Sequence, residues 1–363
     1  MEYLDFRSDT VTKPTEEMRA AMASAEVGDD VYGDDPTVNE LQDYAACLTG
    51  MEAALYVCSG TMGNLVSLMS HCARGEGVLM GTLSHTWKNE AGNAAFLAGV
   101  MPYPLDDLSG LPSEASLKLS YQPEGNVHCA HTVLLTLENT HNAAGGLPAD
   151  ERQFANIAAL ARDMGLKIHV DGARIFNAVA YFGNDVKDYT RHADSIQICL
   201  SKGLGAPMGS VVCGTRSFVE KARKYRKALG GGQRQTGIAA AAGLIALKSM
   251  RARLADDHKN AAVLAEGLAS VGYGVEKTPR RTNMVYFGVG EHHGDARTFA
   301  RKCAERGLLV GAAGKERIRM VTHIGLDEKS VADAINILKE INIIKRFERS
   351  EVGDVVERID RQG

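Results

Sequence analysis

An acid and an amine follow two consecutive predicted strands of this 363-residue chain. The apolar run 167–170 leads into Asp171 and Arg174, and the run 195–200 leads into Lys202. Because the carboxyl ends of parallel strands meet at one edge of a sheet, these side chains are expected there, where ligands of open α/β sheets bind. A carboxylate can keep a pyridine nitrogen protonated while a lysine condenses with an aldehyde, so the pair suits a pyridine aldehyde cofactor.

A surface ion pair is the plainer interpretation of Asp171 and Lys202, and a further motif argues against it. Residues 58–64 follow a strand-like run and precede an apolar helix, and they include Ser59, Gly60 and Thr61. Backbone N–H groups and hydroxyls at such a helix N-terminus can hold a phosphate. A glycine-containing turn alone is weak support, and the absence of the GxGxxG and Walker spacings disfavours NAD and ATP.

His85 follows the strand-like run 77–80, so its imidazole could reach the same edge of the sheet. It could stack on a pyridine ring there, although a histidine that only completes its hydrogen bonds in a loop is the plainer alternative. The seven cysteines stand singly, without a CxxC pair or a cluster of histidines and carboxylates. They are predicted to be reduced core residues, and no metal site is predicted.

Short apolar runs alternate with helical stretches through the first two thirds of the chain. These runs are 54–57, 77–80, 100–103, 132–137, 167–170, 195–200 and 210–213. Several are apolar throughout, as strands buried on both faces require. The pattern predicts an α/β fold with a mostly parallel seven-stranded sheet and crossover helices, of which 150–164 has the clearest end signals.

The pattern changes after an Ala-rich stretch, 238–254, that is predicted to be one long helix. An α+β succession follows: helix 260–271, strand 283–288, helix 295–306, strand 318–321 and helix 329–345. We therefore predict an N-terminal segment 1–15, a large domain 16–250, a smaller C-terminal α+β domain 251–345 and a charged tail 346–363.

Composition narrows the classes of function. The chain has 41 basic and 45 acidic residues, a net charge of −4, and no long block of like charge that could track a nucleic-acid backbone. Its apolar runs are broken well before the roughly 18 residues that a membrane span needs. Nucleic acid and membrane are therefore not expected as partners, and a cytoplasmic protein without a signal peptide is predicted.

Seven motifs occur in a set order along the chain and together resemble one family. They are Asp5-Phe6-Arg7-Ser8-Asp9-Thr10-Val11-Thr12, Val27-Gly28-Asp29-Asp30-Val31-Tyr32-Gly33-Asp34-Asp35-Pro36, Glu138-Asn139-Thr140-His141-Asn142, His169-Val170-Asp171-Gly172-Ala173-Arg174, Ser201-Lys202-Gly203-Leu204, Gly230-Gly231-Gly232-Gln233-Arg234-Gln235 and Met320-Val321-Thr322-His323. The chain resembles the L-threonine aldolase group of fold type I pyridoxal-phosphate enzymes, in the aspartate aminotransferase superfamily. The resemblance extends to about Lys345.

The resemblance implies pyridoxal 5'-phosphate as the cofactor. Lys202 would carry it as a Schiff base, Asp171 would pair with the pyridinium nitrogen, and His85 would stack on the ring. Its phosphate would be held by Ser59, Gly60 and Thr61. The site would lie between subunits of a dimer or tetramer, with Arg234 of one subunit reaching the phosphate in the next and Lys227 nearby.

The same resemblance implies residues that hold an amino acid substrate. Ser8, Arg174 and Arg319 would hold its carboxylate, a bidentate task that suits a guanidinium fork. His128 would contact the β-hydroxyl, and either His128 or His85 is the candidate base. A solvated histidine ahead of a strand is the plainer interpretation of His128.

The implied reaction cleaves L-threonine, L-allo-threonine and related β-hydroxy-α-amino acids to glycine and an aldehyde. Another β-eliminating lyase, a racemase or a transaminase of the same fold is the alternative, and a non-catalytic binding protein is a further one. One position departs from the family pattern. Many members have an aromatic residue four positions after the stacking histidine, whereas this chain has Asn89, which is expected to alter the pocket near the substrate's β-substituent.

Overall fold

The computed structural model describes residues 3–290 and 293–343, so the predicted tail 346–363 lies outside the described residues. The strands are β1 (Leu4–Asp5), β2 (Ala53–Val57), β3 (Gly77–Gly81), β4 (Met101–Leu105), β5 (Thr132–Glu138), β6 (Lys167–Asp171), β7 (Ser195–Cys199), β8 (Ser210–Gly214), β9 (Gly274–Val275), β10 (Met284–Gly288), β11 (Leu308–Leu309), β12 (Gly311–Ala312) and β13 (Arg317–Val321).

The helices alternate with these strands through most of the chain. They are α1 (Glu16–Ala23), α2 (Pro36–Thr49), α3 (Gly60–His71), α4 (His85–Lys88), α5 (Glu114–Ser120), α6 (Glu151–Asp163), α7 (Ile175–Phe182), α8 (Lys187–Thr190), α9 (Arg216–Ala228), α10 (Gly237–Lys248), α11 (Leu254–Ser270) and α12 (Ala296–Ala304). A 3-10 turn spans Asp9–Val11, a π-helical turn spans Ala94–Ala98, and residues 328–343 are helical.

The described residues divide into two compact units: Thr12–Ala255, and a smaller unit that combines residues 3–11 with residues 256–290 and 293–343. The larger unit contains a seven-stranded sheet in the order β2-β8-β7-β6-β5-β3-β4. Of these seven strands, β8 alone runs in the direction opposite to the other six. The predicted α/β fold with a mostly parallel sheet is therefore confirmed.

Three strands of the sheet are covered on both faces. Every residue of β3, β7 and β8 is buried, including the polar residues Ser195 and Gln197 of β7. The covering helix α6 begins where the sequence indicated. Asp150 is its N-cap and accepts hydrogen bonds from the backbone N–H groups of Arg152 and Gln153.

The prediction of one long helix over 238–254 was wrong. Helix α10 ends at Lys248, and α11 begins at Leu254. The guanidinium Nε of Arg251 folds back to the carbonyl of Leu247 at 2.6 Å, which satisfies one of the C-terminal carbonyls that a helix end leaves open. Met250, within this break, and Leu254, the first residue of α11, are both buried.

The smaller unit contains a four-stranded sheet in the order β12-β13-β10-β9 and the parallel pair β1-β11. Its core includes Phe6 with residues of β10, β13 and the helices that cover them, such as Phe287, Phe299 and Leu264. The predicted strand 318–321 and helix 295–306 correspond to β13 and α12, each within two residues at either end.

The prediction that the cysteines are core residues holds for four of them. Cys72, Cys199, Cys213 and Cys303 are buried, and burial raises the pKa of the Cys213 thiol to about 12. Cys47 is exposed on α2, so the prediction was wrong for that residue.

Gly63 sets how closely α3 packs on the sheet, which supports a stability prediction. A Cβ at this position would lie 2.6 Å from Cγ of Gln197 and 3.2 Å from Cγ2 of Val212. Gly63→Ala is therefore expected to force α3 off the sheet and to cost about 1–3 kcal/mol of unfolding free energy, measured by urea denaturation. Gly274→Ala is the control, because a Cβ there meets no atom within 4 Å. Equal midpoints for the two variants would contradict the packing argument.

Candidate active site

Asp171 ends strand β6 and is 3% exposed. Its Oδ2 accepts a hydrogen bond from Nδ2 of Asn64 at 2.9 Å. Its Oδ1 accepts from Nε2 of Gln197 at 3.0 Å and from the backbone N–H of Ala173 at 3.1 Å. Three donors thus hold a buried carboxylate in one orientation at the carboxyl edge of the sheet.

The charge state of Asp171 follows from opposing effects. Burial alone would raise its pKa, but the positive charges of Lys202 and His85 and the hydrogen bonds from Asn64 and Ala173 outweigh it and hold the pKa below its ordinary value. Asp171 is therefore an ionised carboxylate inside the protein, which is the state required to pair with a protonated ring nitrogen.

Lys202 lies in the loop between β7 and β8, where the sequence predicted it. Its backbone carbonyl accepts hydrogen bonds from Oγ1 of Thr12 and from the N–H of Gly205, both at 2.9 Å, so the loop is held at two points. In the described part of the chain, no hydrogen bond or ion pair engages its amino group. Its charge nevertheless acts on Asp171 and on His85, so the three residues predicted for this edge do lie together.

His85 begins the short helix α4 just after β3. Its Nδ1 lies 2.9 Å from Oε1 of Glu90, whose carboxylate is fully buried. The hydrogen bond to Glu90 raises the pKa of His85, burial works against it, and the charge of Asp171 adds to the rise. The backbone N–H of His85 donates to Oε2 of Glu138 at 2.6 Å, so carboxylates position both its ring and its main chain.

Glu138 ends β5 directly beside Asp171 in the parallel register. Burial raises the pKa of Glu138, and the neighbouring Asp171 raises it further against the opposing charge of His141. His141 is itself buried and lies 2.7 Å from Oδ2 of Asp107. Burial would lower the pKa of His141, but Asp107 and Glu138 outweigh burial and raise it. Glu138, His141 and Asp107 therefore form a buried group of ionisable side chains behind Asp171 and His85.

The predicted phosphate turn is the N-terminus of α3. Ser59 is the N-cap, and its Oγ accepts a hydrogen bond from the N–H of Met62 at 3.1 Å. The first N–H groups of a helix lack intrahelical acceptors, so those of Gly60 and Thr61 could bind an anion at this end of α3. A Cβ on Gly60 would lie 2.6 Å from Sγ of Cys199, so this helix end packs close to the strand that precedes Lys202.

Arg174 precedes α7 and is 8% exposed. Together with Cys199 and Gly203 it lines a small cavity of about 10 Å³, which places it beside the Lys202 loop. Ser8 and Arg319 lie in the smaller unit. There Nη2 of Arg319 donates to the backbone carbonyl of Arg7 at 3.0 Å, and Oγ of Ser8 accepts from the N–H of Thr10 at 3.2 Å.

Two predicted site residues are not joined to this cluster within one chain. His128 lies in the exposed turn ahead of β5, at the amino end of the strand, and the seven residues of β5 separate it from the carboxyl edge. At 3.3 Å per residue that separation is about 20 Å. Arg234 is exposed, and its Nη1 pairs with Oδ2 of Asp29 at 2.9 Å.

The polar residues that support Asp171 and His85 were not predicted as functional. Asn64 and Glu138 stand inside motifs that the sequence singled out, but nothing in the sequence pointed to their contacts. Glu90 follows His85 by five residues, whereas side chains that face each other on a helix are three or four residues apart. The spacing therefore gave no reason to expect their contact. The ligand atoms of His85, Glu90 and Asp171 lie within 4.8 Å of one another, and hydrogen bonds already engage all three groups.

A pH prediction follows if His85 is the base. It must then be neutral, so kcat/KM should rise as the pH increases through its raised pKa. Glu90→Gln removes the partner carboxylate and leaves Asp171, which raises the pKa, and Lys202, which lowers it, as the charged groups facing His85. The acidic limb of the pH profile should therefore move to lower pH. Glu114→Gln, which alters an exposed residue of α5, is the control, and an unmoved limb would assign the base elsewhere.

In the part of the chain that the structure describes, none of the helices is both long and apolar enough to cross a membrane.

Comparisons with known proteins agree with this arrangement. The beta-eliminating lyase family model matches residues 5–291. The low specificity L-threonine aldolase of Escherichia coli O157:H7 is 45% identical over 332 residues, which cover 91% of this chain and 96% of that protein. The probable low-specificity L-threonine aldolase 2 of Arabidopsis thaliana is 43% identical over 343 residues, which cover 93% of this chain and 97% of that protein.

Solved structures share the fold at much lower sequence identity. Leishmania major threonine aldolase matches with a TM-score of 0.78 and 19% identity, covering 93% of this chain and 99% of that chain. A structure of SPT with a PLP internal aldimine matches with a TM-score of 0.74 and 17% identity, covering 95% of this chain and 87% of that chain. The fold is thus that of fold type I pyridoxal-phosphate enzymes. The chain is a lyase of the beta-eliminating lyase family and belongs to its L-threonine aldolase group.

Proposed function

We propose that this chain is a pyridoxal-phosphate-dependent aldolase. It would cleave L-threonine, L-allo-threonine and related β-hydroxy-α-amino acids to glycine and an aldehyde, which is acetaldehyde when the substrate is threonine. The observation that carries the proposal is the buried, ionised Asp171 at the same sheet edge as the amine of Lys202 and the imidazole of His85. The 45% identity to the Escherichia coli aldolase supports the choice of reaction.

The residues at this edge fit pyridoxal phosphate by their chemistry. Lys202 would anchor the aldehyde carbon, Asp171 would hold the ring nitrogen, and the N-terminus of α3 with Ser59, Gly60 and Thr61 would hold the phosphate. When bound, the cofactor would supply an electron sink for the electrons of the breaking Cα–Cβ bond. His85, fixed by Glu90, would lie against the ring.

The protein's own contribution is to orient the substrate and to move protons. Arg174, Ser8 and Arg319 are proposed to hold the substrate carboxylate and thereby to orient the bond that breaks. His85 or His128 would remove the proton from the β-hydroxyl, either directly or through water. A proton returned to Cα completes glycine.

We further propose that the site is completed by a second copy of the chain in a dimer or tetramer. His128 lies about 20 Å along β5 from the carboxyl edge in its own chain, so it could join a site only from another subunit. Arg234 is proposed to reach the neighbouring cofactor phosphate, with Lys227 nearby. The cytoplasmic location and a place in threonine catabolism and glycine formation stay predictions.

A subunit-complementation prediction tests the shared site. Lys202→Ala subunits and Arg234→Ala subunits should each be nearly inactive alone. Co-expressed, random pairing should restore about a quarter of wild-type activity, because half of the dimers are mixed and each mixed dimer has one intact site. Two variants of Lys202, Lys202→Ala and Lys202→Gln, form the control pair and should restore nothing. An inactive mixture of the first pair would contradict a shared site.

The reaction class is tested by products. The purified enzyme loaded with pyridoxal phosphate should release glycine and acetaldehyde from L-threonine faster than pyruvate and ammonia from L-serine. The match to the beta-eliminating lyase family makes β-elimination the second candidate. The opposite ratio of products would support β-elimination in place of aldol cleavage.

A further inference from the structure

Asn64 connects the two carboxylates on which the proposed site depends. It lies on α3, is 1% exposed, and its Nδ2 is 2.9 Å from Oδ2 of Asp171 and 2.8 Å from Oε1 of Glu90. Both oxygens accept a hydrogen bond from this nitrogen, so the amide donates one N–H to each carboxyl group. The amide oxygen is thereby turned toward Nε2 of His169, 3.1 Å away.

That orientation determines the direction of a longer chain of hydrogen bonds. Since Oδ1 of Asn64 can only accept, Nε2 of His169 must carry its proton, and Nδ1 of a neutral His169 is an acceptor. Oγ of Ser195, 2.8 Å from this Nδ1, donates to it. The same Oγ then accepts from Nε2 of His71 at 2.7 Å. Each proton in the chain points from His71 toward Asp171.

The chain of hydrogen bonds requires a neutral His169, because its Nδ1 must accept from Ser195. The surroundings of both histidines favour the neutral state. Burial lowers the pKa of His169 to about 4, against a small opposing effect from Asp171. Burial also lowers the pKa of His71 to about 3, and its ring stacks on Phe218 at 4.6 Å between centroids. A neutral imidazole donates a hydrogen bond from one nitrogen and accepts one at the other, so it fixes the direction of the hydrogen bonds on both sides of the ring.

We propose, on the basis of the proposed function, that Asn64 is a positioning residue for Asp171 and Glu90, and that His169 with Ser195 and His71 locks its amide in the required orientation. A flipped amide would turn Oδ1 toward two carboxylates and remove both donors. Locking the amide keeps Asp171 ionised for the ring nitrogen and keeps Glu90 in place behind His85.

The protonated nitrogen of His169 is the direct test. Histidine-selective ¹⁵N labelling of the full chain, with His169→Gln to assign the signal, should show a neutral His169 protonated at Nε2 across neutral pH. Protonation at Nδ1, or at both nitrogens, would reverse or break the series of hydrogen bonds from His71 to Asp171 and would overturn the inference. This readout does not require catalysis, so it stands even if the product assay rejects the aldolase.

A matched pair of variants tests the consequence for the site. The nitrogen of Gln at position 169 can reach the place of Nε2 and donate to Asn64, whereas His169→Leu removes the donor. With both variants loaded with pyridoxal phosphate, His169→Leu should lower kcat about 10- to 100-fold and shift the visible absorption band of the bound cofactor. His169→Gln should keep the wild-type band and most of kcat. Identical spectra and kcat in the two variants, whether high or low, would overturn the inference.

Discussion

Lys202→Ala is expected to lower kcat on the order of 10⁴-fold or more while the chain stays folded. The charge of Lys202 acts on both Asp171 and His85, so its amine lies where the covalent role would be needed, and the substitution removes that amine. The backbone of the loop should persist, because its hydrogen bonds to Thr12 and Gly205 use the carbonyl of residue 202 and not its side chain.

The measurement is kcat for L-threonine together with the urea midpoint of unfolding. Lys167→Ala is the matched control, because Lys167 is an exposed lysine at the opposite, amino end of β6 in the same sheet. It should keep wild-type kcat. A Lys202→Ala enzyme that retained a tenth or more of wild-type kcat would contradict the proposed anchor.

Asp171→Asn is expected to lower kcat on the order of 10²–10³-fold. The substitution keeps the size of the side chain but removes the buried negative charge that would hold a ring nitrogen protonated. It also places an amide N–H among the donors from Asn64, Gln197 and Ala173, which now meet fewer acceptor sites. Asp171→Glu restores the charge and should recover part of the loss.

The control for this substitution is Asp194→Asn. Asp194 is also a strand-end carboxylate, and its Oδ2 accepts a hydrogen bond from the backbone N–H of Ile168 at 2.8 Å, but it lies at the amino end of β7. Its replacement should change the unfolding midpoint and leave kcat unchanged. If the two Asn variants lost kcat equally, the loss at Asp171 would reflect folding and not its place at the site.

The sheet could be predicted because its strands carry their own signal. The run 77–80, for example, is apolar on both faces, as a doubly covered strand requires, and all seven runs became neighbours in one sheet. The helix end at Lys248 had no such signal. No Gly or Pro stands between Ser249 and Arg253, and the turn depends on the side chain of Arg251 reaching back to a carbonyl.

Some residues of the candidate site could likewise be predicted from the sequence, and others could not. Asp171, Lys202 and His85 could be placed at one edge because each follows a strand whose direction the βα alternation predicts. The side chains that hold them could not. Asn64 meets Asp171 across 107 positions of sequence, and His85 meets Glu138 across 53. Such contacts depend on which strands become neighbours in the sheet and on the rotation of each helix about its axis. The spacing of nearby residues in the sequence determines neither.

Lys202 is proposed to carry the cofactor as a Schiff base. Borohydride reduction of the pyridoxal-phosphate-loaded protein, followed by proteolysis and mass spectrometry, tests this role. One pyridoxyl adduct is expected, on the peptide that contains Lys202, and it should be absent from Lys202→Ala. An active enzyme with the adduct on a different lysine, or with no adduct at all, would contradict this role.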